Sequence, residues 1–370
     1  MKFIHTADVH WGAFPDRGMP WSEKRAQDIK DSFANLIKKA GAWQADLLLI
    51  AGDLFHQQPL LRDLKEVNYL FSTIPDTKVV LIAGNHDCVL PSSHYQHFEW
   101  NSNVFFLKDE AMSSVYFSDI NTEVHGCSYH DREIKAPIYD GLKAQSDGRF
   151  HILLAHGGDE KHAPFNLTAL KASGFHYIAL GHIHKPGVLA ENRIAYPGSL
   201  EPLSKTETGR HGYLLGETNG AEVRLFKAAS ARAQYVPLLV NITPATTNGE
   251  LAMRLADAIE KRGREHIYRF RLQGYRDPDI LFDQEYLMGL GSVVEILDET
   301  EPEYDLNRLA MEHSGDLIGF YINALSSSEM GELEKKALNY GIDALLNTTM
   351  GKKPGPQPGL AGSERSGDGL

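Results

Sequence analysis

Cysteine is scarce. Only Cys88 and Cys127 occur in 370 residues, nothing demands that they pair, and a reducing compartment is the simpler reading. Long apolar runs are missing too. No stretch approaches the roughly 20 apolar residues that a membrane helix needs, and Met1–Asp8 lacks the apolar run of a signal peptide. A cytoplasmic protein with no membrane partner is expected. Positive charge is also short: the formal net charge is −12, which argues against a generally basic nucleic-acid binder while leaving room for a local basic groove. What remains is an ordinary globular composition on a chain long enough for two domains.

Short apolar runs alternate with amphipathic patterns over the first 230 or so residues. Lys2–Ala7 reads as a strand. The spacing of Ile29, Phe33, Leu36, Ile37 and Ala40 predicts a helix over 22–43, with Ser22 as its N-cap. Leu47–Ala51, Val79–Ala83, His151–Ala155 and Tyr177–Leu180 are continuous apolar runs, as in central strands covered on both faces. The expected class is α/β and layered. After about residue 232, strands at Leu238–Ile242, Tyr268–Leu272 and Val293–Leu297 and helices at 248–262 and 279–289 predict a second, small α/β domain. The expected division is 1–232, 233–314, a helical segment 315–350 and a Gly-, Pro- and Ser-rich disordered tail 351–370.

Five short motifs follow predicted strands: Asp8-Val9-His10, Gly52-Asp53-Leu54-Phe55-His56, Gly84-Asn85-His86-Asp87, His156-Gly157 and Gly181-His182-Ile183-His184. Each alone is weak, since Gly-Asp and Gly-Asn are common in turns. Together they deliver Asp, Asn and His side chains repeatedly to the carboxyl-end rim of the strands, where α/β sheets bind ligands. Imidazole with carboxylate favours Mn, Fe, Zn or Ni over Ca or an all-oxygen Mg site. A carboxylate can bridge two cations. Two divalent ions about 3.5–4 Å apart clamp a phosphoryl group and supply a nucleophile at neutral pH.

These motifs resemble the calcineurin-like metallophosphoesterase superfamily over roughly residues 1–230. The resemblance implies a four-layer β-sandwich flanked by helices. It implies Asp8, His10 and His184 as ligands of one metal, Asn85, His156 and His182 as ligands of the other, and Asp53 as the bridge. It makes His86 the histidine that contacts the scissile phosphate and helps the leaving group, with Asp87 expected behind it to fix its tautomer.

Flanking segments are similar to the SbcD-type DNA repair exonuclease branch: His5-Thr6-Ala7-Asp8-Val9-His10-Trp11-Gly12, Ala51-Gly52-Asp53-Leu54-Phe55-His56, and Tyr196-Pro197-Gly198-Ser199-Leu200-Glu201-Pro202. That branch implies Mn as the metal, DNA as substrate, His56 as a residue placing the DNA end, and the second domain as a capping domain. It also implies an SbcC-like coiled-coil ATPase and a homodimer as partners. Without the resemblance, His56 also reads as a partly buried polar residue beside the site, and His5 as a satisfied core histidine. Ser199 is expected at the rim, where a phosphate could be held. Residues 261–276 carry six basic side chains against the single acid Glu265, and Arg269 and Arg271 share a strand face that could track a DNA backbone. The acidic segment 295–316 is expected to point elsewhere. Two alternatives stay open: a cyclic-nucleotide or small-molecule phosphodiesterase, and a chain that serves chiefly as a binding subunit of the ATPase.

Overall fold

The computed structural model describes residues 1–220, 222–326 and 330–349. The expected tail 351–370 lies outside the described residues. The chain divides into two compact units, Met1–Val236 with Glu265–Ile267, and Pro237–Arg264 with Tyr268–Leu370 as far as its residues are described.

In the first unit the strands are β1 (Lys2–Thr6), β2 (Leu47–Ala51), β3 (Lys78–Ile82), β4 (Val104–Phe106), β5 (Ser113–Phe117), β6 (Thr122–Gly126), β7 (Phe150–His156), β8 (Tyr177–Gly181), β9 (Gly187–Ala190), β10 (Ile194–Tyr196), β11 (Gly212–Thr218) and β12 (Val223–Ala229). They form two six-stranded sheets, ordered β12-β11-β1-β2-β3-β4 and β5-β6-β7-β8-β10-β9. The central strands of both sheets run parallel to their neighbours. Alternation along each strand then divides its apolar residues between two faces. Phe3, Leu47, Leu49, Val80 and Ile82 meet Val124, Ile152, Leu154 and Ala179 between the sheets. On the outer face of the first sheet, Ile4, Leu48, Ile50 and Leu81 pack on α1 (Ser22–Trp43) and α2 (Leu61–Ser72) through Ile29, Phe33, Leu36, Leu64 and Phe71. On the outer face of the second sheet, Leu153, Ala155, Ile178 and Leu180 pack on Tyr129, Tyr139, Phe175 and Leu170 of α3 (Leu167–Lys171). The result is the four-layer α/β sandwich expected for the superfamily.

Local differences have local causes. Trp21, not Ser22, occupies the cap position of α1, because the Ser22 hydroxyl donates instead to the Pro15 carbonyl (2.7 Å). α2 is not among the expected helices, although its buried Leu64, Val67 and Phe71 fall at helical spacing.

The second unit holds most of β13 (Tyr235–Ile242), then α4 (Asn248–Arg262), β14 (Ile267–Arg276), α5 (Gln284–Met288) and β15 (Val293–Pro302). The sheet order is β13-β14-β15, with β14 and β15 parallel. α4 buries Leu251, Leu255 and Ile259 and is capped by the Thr247 side chain. α5 is shorter than expected, because residues 277–280 form a turn whose carbonyls accept from the Arg276 guanidinium. α6 (Leu306–Glu312), α7 (Leu317–Leu325) and α8 (Glu332–Thr349) fall in the same unit and share a small core of Leu309, Ile318, Ile322, Leu338 and Ile342. Among the described residues, no helix is long and apolar enough to cross a membrane.

Candidate metal centre

Asp8 and His10 follow β1, Asp53 follows β2, Asn85 and His86 follow β3, His156 closes β7, and His182 and His184 follow β8. The segments beyond β1 and β2 stay zipped together: the His10 amide donates to the Asp53 carbonyl (3.0 Å), that of Trp11 to Leu54 (2.9 Å) and that of His56 to Trp11 (3.1 Å). Aiming the side chains into one rim requires uncommon backbone. Asp8, His10 and Asp53 have φ of 50°, 51° and 51°, and His182 has 95°. Non-glycine residues avoid this region, at about 1–2 kcal/mol each, and such strain gathers at functional sites. Two adjoining positions admit only glycine: a Cβ on Gly84 would lie 2.2 Å from Asp53 Oδ1, and one on Gly52 2.3 Å from His156 Nδ1.

Two donor clusters result. Asp8, His10 and His184 converge, with the Nε2 atoms of the two histidines 3.0 Å apart. Asn85 Oδ1 lies 3.0 Å from His156 Nε2 and 3.1 Å from His182 Nδ1. Asp53 stands between the clusters, its Oδ2 3.4 Å from His156 Nε2 and 3.9 Å from His10 Nε2. Its Oδ1 accepts the His86 amide (2.9 Å). The ring nitrogens facing away from the clusters are engaged as well. His156 Nδ1 meets the Ala51 carbonyl (2.8 Å), His182 Nε2 meets Asp159 Oδ2 (2.7 Å), His184 Nδ1 meets Glu207 Oε1 (3.1 Å), and His10 Nδ1 meets His56 Nδ1 (3.3 Å). A metal-binding imidazole needs that outer partner to fix its tautomer and orientation. The donor set and its outer partners therefore fit a pair of divalent cations bridged by one carboxylate.

The electrostatics of the site point the same way. Burial pushes the Asp8 carboxyl up to about 6. Burial pushes Asp53 in the same direction, but the imidazoles of His156 and His10 outweigh it and hold that carboxyl well below the usual range. Burial acts to lower His156 and His184, yet Asp53 lifts the first to about 9 and Glu207 with Asp8 lifts the second to about 9. Burial lowers His182 to about 4. At neutral pH a cation entering the site therefore displaces protons from His156 and His184, and loading weakens as pH falls from about 9.

Four sequence expectations change at this point. Asp87 is fully buried and does not touch the His86 ring. Its oxygens accept from the Gly84 amide (2.8 Å), the Phe55 amide (3.1 Å) and the Tyr95 hydroxyl (3.0 Å), so it braces the loop. The His86 ring is exposed, and its Nδ1 meets the His56 carbonyl (3.0 Å). Ser199 is likewise buried, with its hydroxyl 2.9 Å from His211 Nδ1 and 3.2 Å from Glu207, so it is not presented to a phosphate. The adjoining Glu201 is buried against Arg25 (3.0 Å) and Ser32 (2.5 Å), and the segment buttresses Asp8 from behind. The acidic segment points elsewhere only in part: Glu301, Glu312 and Asp316 pair with Lys336, Arg308 and His313, but its first residues do not. β15 lies in register beside β14, pairing Arg269 with Glu295 and Arg271 with Glu299 (3.5 Å), which neutralises the expected basic strip. His5 is a core histidine as expected, bonded to the Tyr177 hydroxyl (2.8 Å) and the Leu180 carbonyl (3.2 Å).

Sequence reasoning missed Asp159, Glu207, Tyr129 and Tyr139. The two tyrosine hydroxyls donate to the His156 carbonyl (3.0 and 3.2 Å). Asp159, three residues past His156 in a Gly-Gly-Asp turn, carried a usable signal: a carboxylate in the loop that follows a ligand. Glu207 had none. Asp159→Asn should weaken cation binding at the His156 cluster by about 10–100-fold. Calorimetric titration with Mn²⁺ reads this directly, and an unchanged affinity would make Asp159 a bystander.

The chain belongs to the calcineurin-like phosphoesterase family, whose model matches residues 1–186. It is 27% identical over 298 residues to the uncharacterised metallophosphoesterase YhaO of Bacillus subtilis (strain 168), covering 74% of this chain and 72% of that one. It is 30% identical over 223 residues to the DNA double-strand break repair protein Mre11 of Methanocaldococcus jannaschii, covering 56% of this chain and 58% of the relative. With the Mre11 of Aeropyrum pernix, identity is 28% over 240 residues, 57% of this chain and 56% of the relative. The matches thus span less than two thirds of either repair protein. Family membership carries phosphoester hydrolysis with divalent metal ions, and the His/Asp clusters above are where such ions could bind.

Proposed function

We propose that this chain is a dinuclear metal-dependent phosphodiesterase that acts on DNA as a nuclease, in repair. One observation carries the chemistry: Asp53 Oδ2 faces both donor clusters while His86 stands exposed beside them. DNA as the substrate is supported by the two repair relatives and by the flanking segments that resemble the SbcD-type branch.

Asp8, His10 and His184 would hold one cation, Asn85, His156 and His182 the other, and Asp53 both. When bound, such a pair supplies a nucleophile at neutral pH and neutralises charge on the phosphoryl oxygens, with Mn²⁺ the expected ion. The remaining work belongs to side chains. The His56 carbonyl accepts Nδ1–H of His86, which leaves Nε2 to carry the proton that a leaving group would take. That proton goes to the departing 3′-oxygen, and the neutral ring left behind keeps its Nδ1–H bonded to the carbonyl. His56 has a second task. If His10 binds a cation through Nε2, its Nδ1–H donates to His56 Nδ1, which leaves His56 Nε2–H free to meet a phosphate. The His56 and His86 rings are stacked, with centroids 5.2 Å apart, so the two groups are placed together. Asp87 holds the turn that carries His86 and takes no part in proton transfer.

Incubation with Mn²⁺ and end-labelled single- and double-stranded DNA tests this reading, with Asp53→Ala as the blank. Shortening of the labelled strand, absent in the blank, is the expected result. Robust hydrolysis of a small phosphodiester with every DNA form untouched would overturn DNA as the substrate. Activity on either substrate that appears only after a coiled-coil ATPase is added would assign the chain to a complex instead.

A further inference from the structure

A second group of imidazoles lies on β6 and near the start of β7, on the outer face of their sheet. Glu123 and His125 alternate with the inward-facing Val124 and so share a face. His151 is the register partner of Glu123 on β7. His125 Nε2 lies 3.0 Å from His151 Nδ1, and Glu123 Oε2 lies 3.9 Å from the same atom. One donor atom from each of the three falls within 4.8 Å of the others.

The tautomers are set by the surroundings. His151 is fully buried, and its Nε2 meets Asp147 Oδ1 at 2.9 Å. An Nε2–H donated there leaves the Nδ1 lone pair aimed at His125, the same carboxylate–imidazole arrangement that Asp159 makes with His182. Phe175 stands edge-on to His125 (5.2 Å), and burial holds that imidazole below its ordinary value, so it is neutral at pH 7. The Ser114 hydroxyl donates to Glu123 Oε1 (2.7 Å), so Oε2 is the oxygen that faces the cluster, where it also accepts from the Arg149 guanidinium (2.9 Å).

We propose that Glu123, His125 and His151 form a third cation site, suited to Zn²⁺ or an ion like it and independent of the dinuclear centre. Two imidazoles and one carboxylate are a ligand set that four-coordinate zinc takes, with water in the open position. His156 lies five residues further along β7, about 16 Å from His151, and the two sites share no ligand. One rival cation is built in. The Arg149 guanidinium reaches Glu123 Oε2 (2.9 Å) and Asp147 (3.2 Å) while lying over the Tyr116 ring (4.2 Å). At 38% exposed, its side chain can give up Glu123 and keep Asp147 when an ion enters. Arg149 therefore sets how tightly the site closes.

The full chain, dialysed against Zn²⁺ and analysed for metal per polypeptide, tests the proposal. The expected content is about three ions in the wild type and about two in His125→Ala. Glu123→Gln keeps the shape of the site and is the second variant should His125→Ala fail to fold, and about two ions are expected there as well. Both variants should hydrolyse substrate at the wild-type rate. In Zn²⁺ titrations Arg149→Gln should bind the third ion about tenfold or more tighter, since it frees a carboxylate from a charged competitor. Equal zinc content in the wild type, His125→Ala and Glu123→Gln would overturn the site and leave the two imidazoles as a plain N–H···N hydrogen bond.

Discussion

Asp53→Ala is expected to cost about 10³-fold or more in hydrolysis and to lower the occupancy of the dinuclear centre from about two ions to one or fewer. The reason is geometric. Asp53 Oδ2 faces a histidine of each cluster, His156 at 3.4 Å and His10 at 3.9 Å, while Asp8 lies among His10 and His184 and also beside His156. Removing it leaves two half-sites whose cations repel each other at close range with no shared anion between them. It also frees the His86 amide, which donates to Asp53 Oδ1 (2.9 Å), so the turn carrying His86 loosens as well. Metal analysis beside a rate measurement separates the two effects. A variant that keeps both ions and still hydrolyses at more than a tenth of the wild-type rate would remove Asp53 from the bridging role.

His86→Ala should behave differently: full metal content, with activity lower by about 10²-fold or more. None of the close donor pairs that define the two clusters involves the His86 ring, which is exposed and oriented by the His56 carbonyl. The deficit should shrink on a substrate with a good leaving group such as a nitrophenolate, because that group departs without a proton. If loss of His86 is felt equally on good and poor leaving groups, its work is charge stabilisation of the phosphate and not proton donation. If Mn²⁺ leaves with the ring, it belongs among the ligands.

The candidate ligands were legible because each belongs to a local pattern: an apolar strand, a glycine or a tight turn, then the donor. The fold does the rest, since parallel central strands in each sheet point their carboxyl ends to one rim. The outer partners were not legible. Glu207 reaches His184 from a turn more than twenty residues on, and only the packed structure brings it there. Asp87 was misread for a different reason. Adjacency in sequence suggested contact with His86, but in the turn after β3 the two side chains part, one to solvent and one inward to three donors. Arg269 and Arg271 showed their shared face correctly. Their neutralisation depended on which strand lies alongside and in which register, and a period-two pattern does not encode that. The strands β2, β3, β7 and β8 were readable as apolar runs. β4 to β6 were not, being short or evenly mixed.

The position of β1 in its sheet has a consequence for how the protein is made. β1 pairs on one side with β2, some forty residues on, and on the other with β11, where Lys2 lies opposite Glu217. At about 5–20 residues per second, the ribosome delivers that second neighbour roughly ten to forty seconds after the first strand has appeared. Until then Asp8 and His10 hang on an open sheet edge, and His182 and His184 have scarcely been synthesised. The nascent chain therefore lacks several of the residues that could bind divalent ions until nearly the whole first unit has been translated.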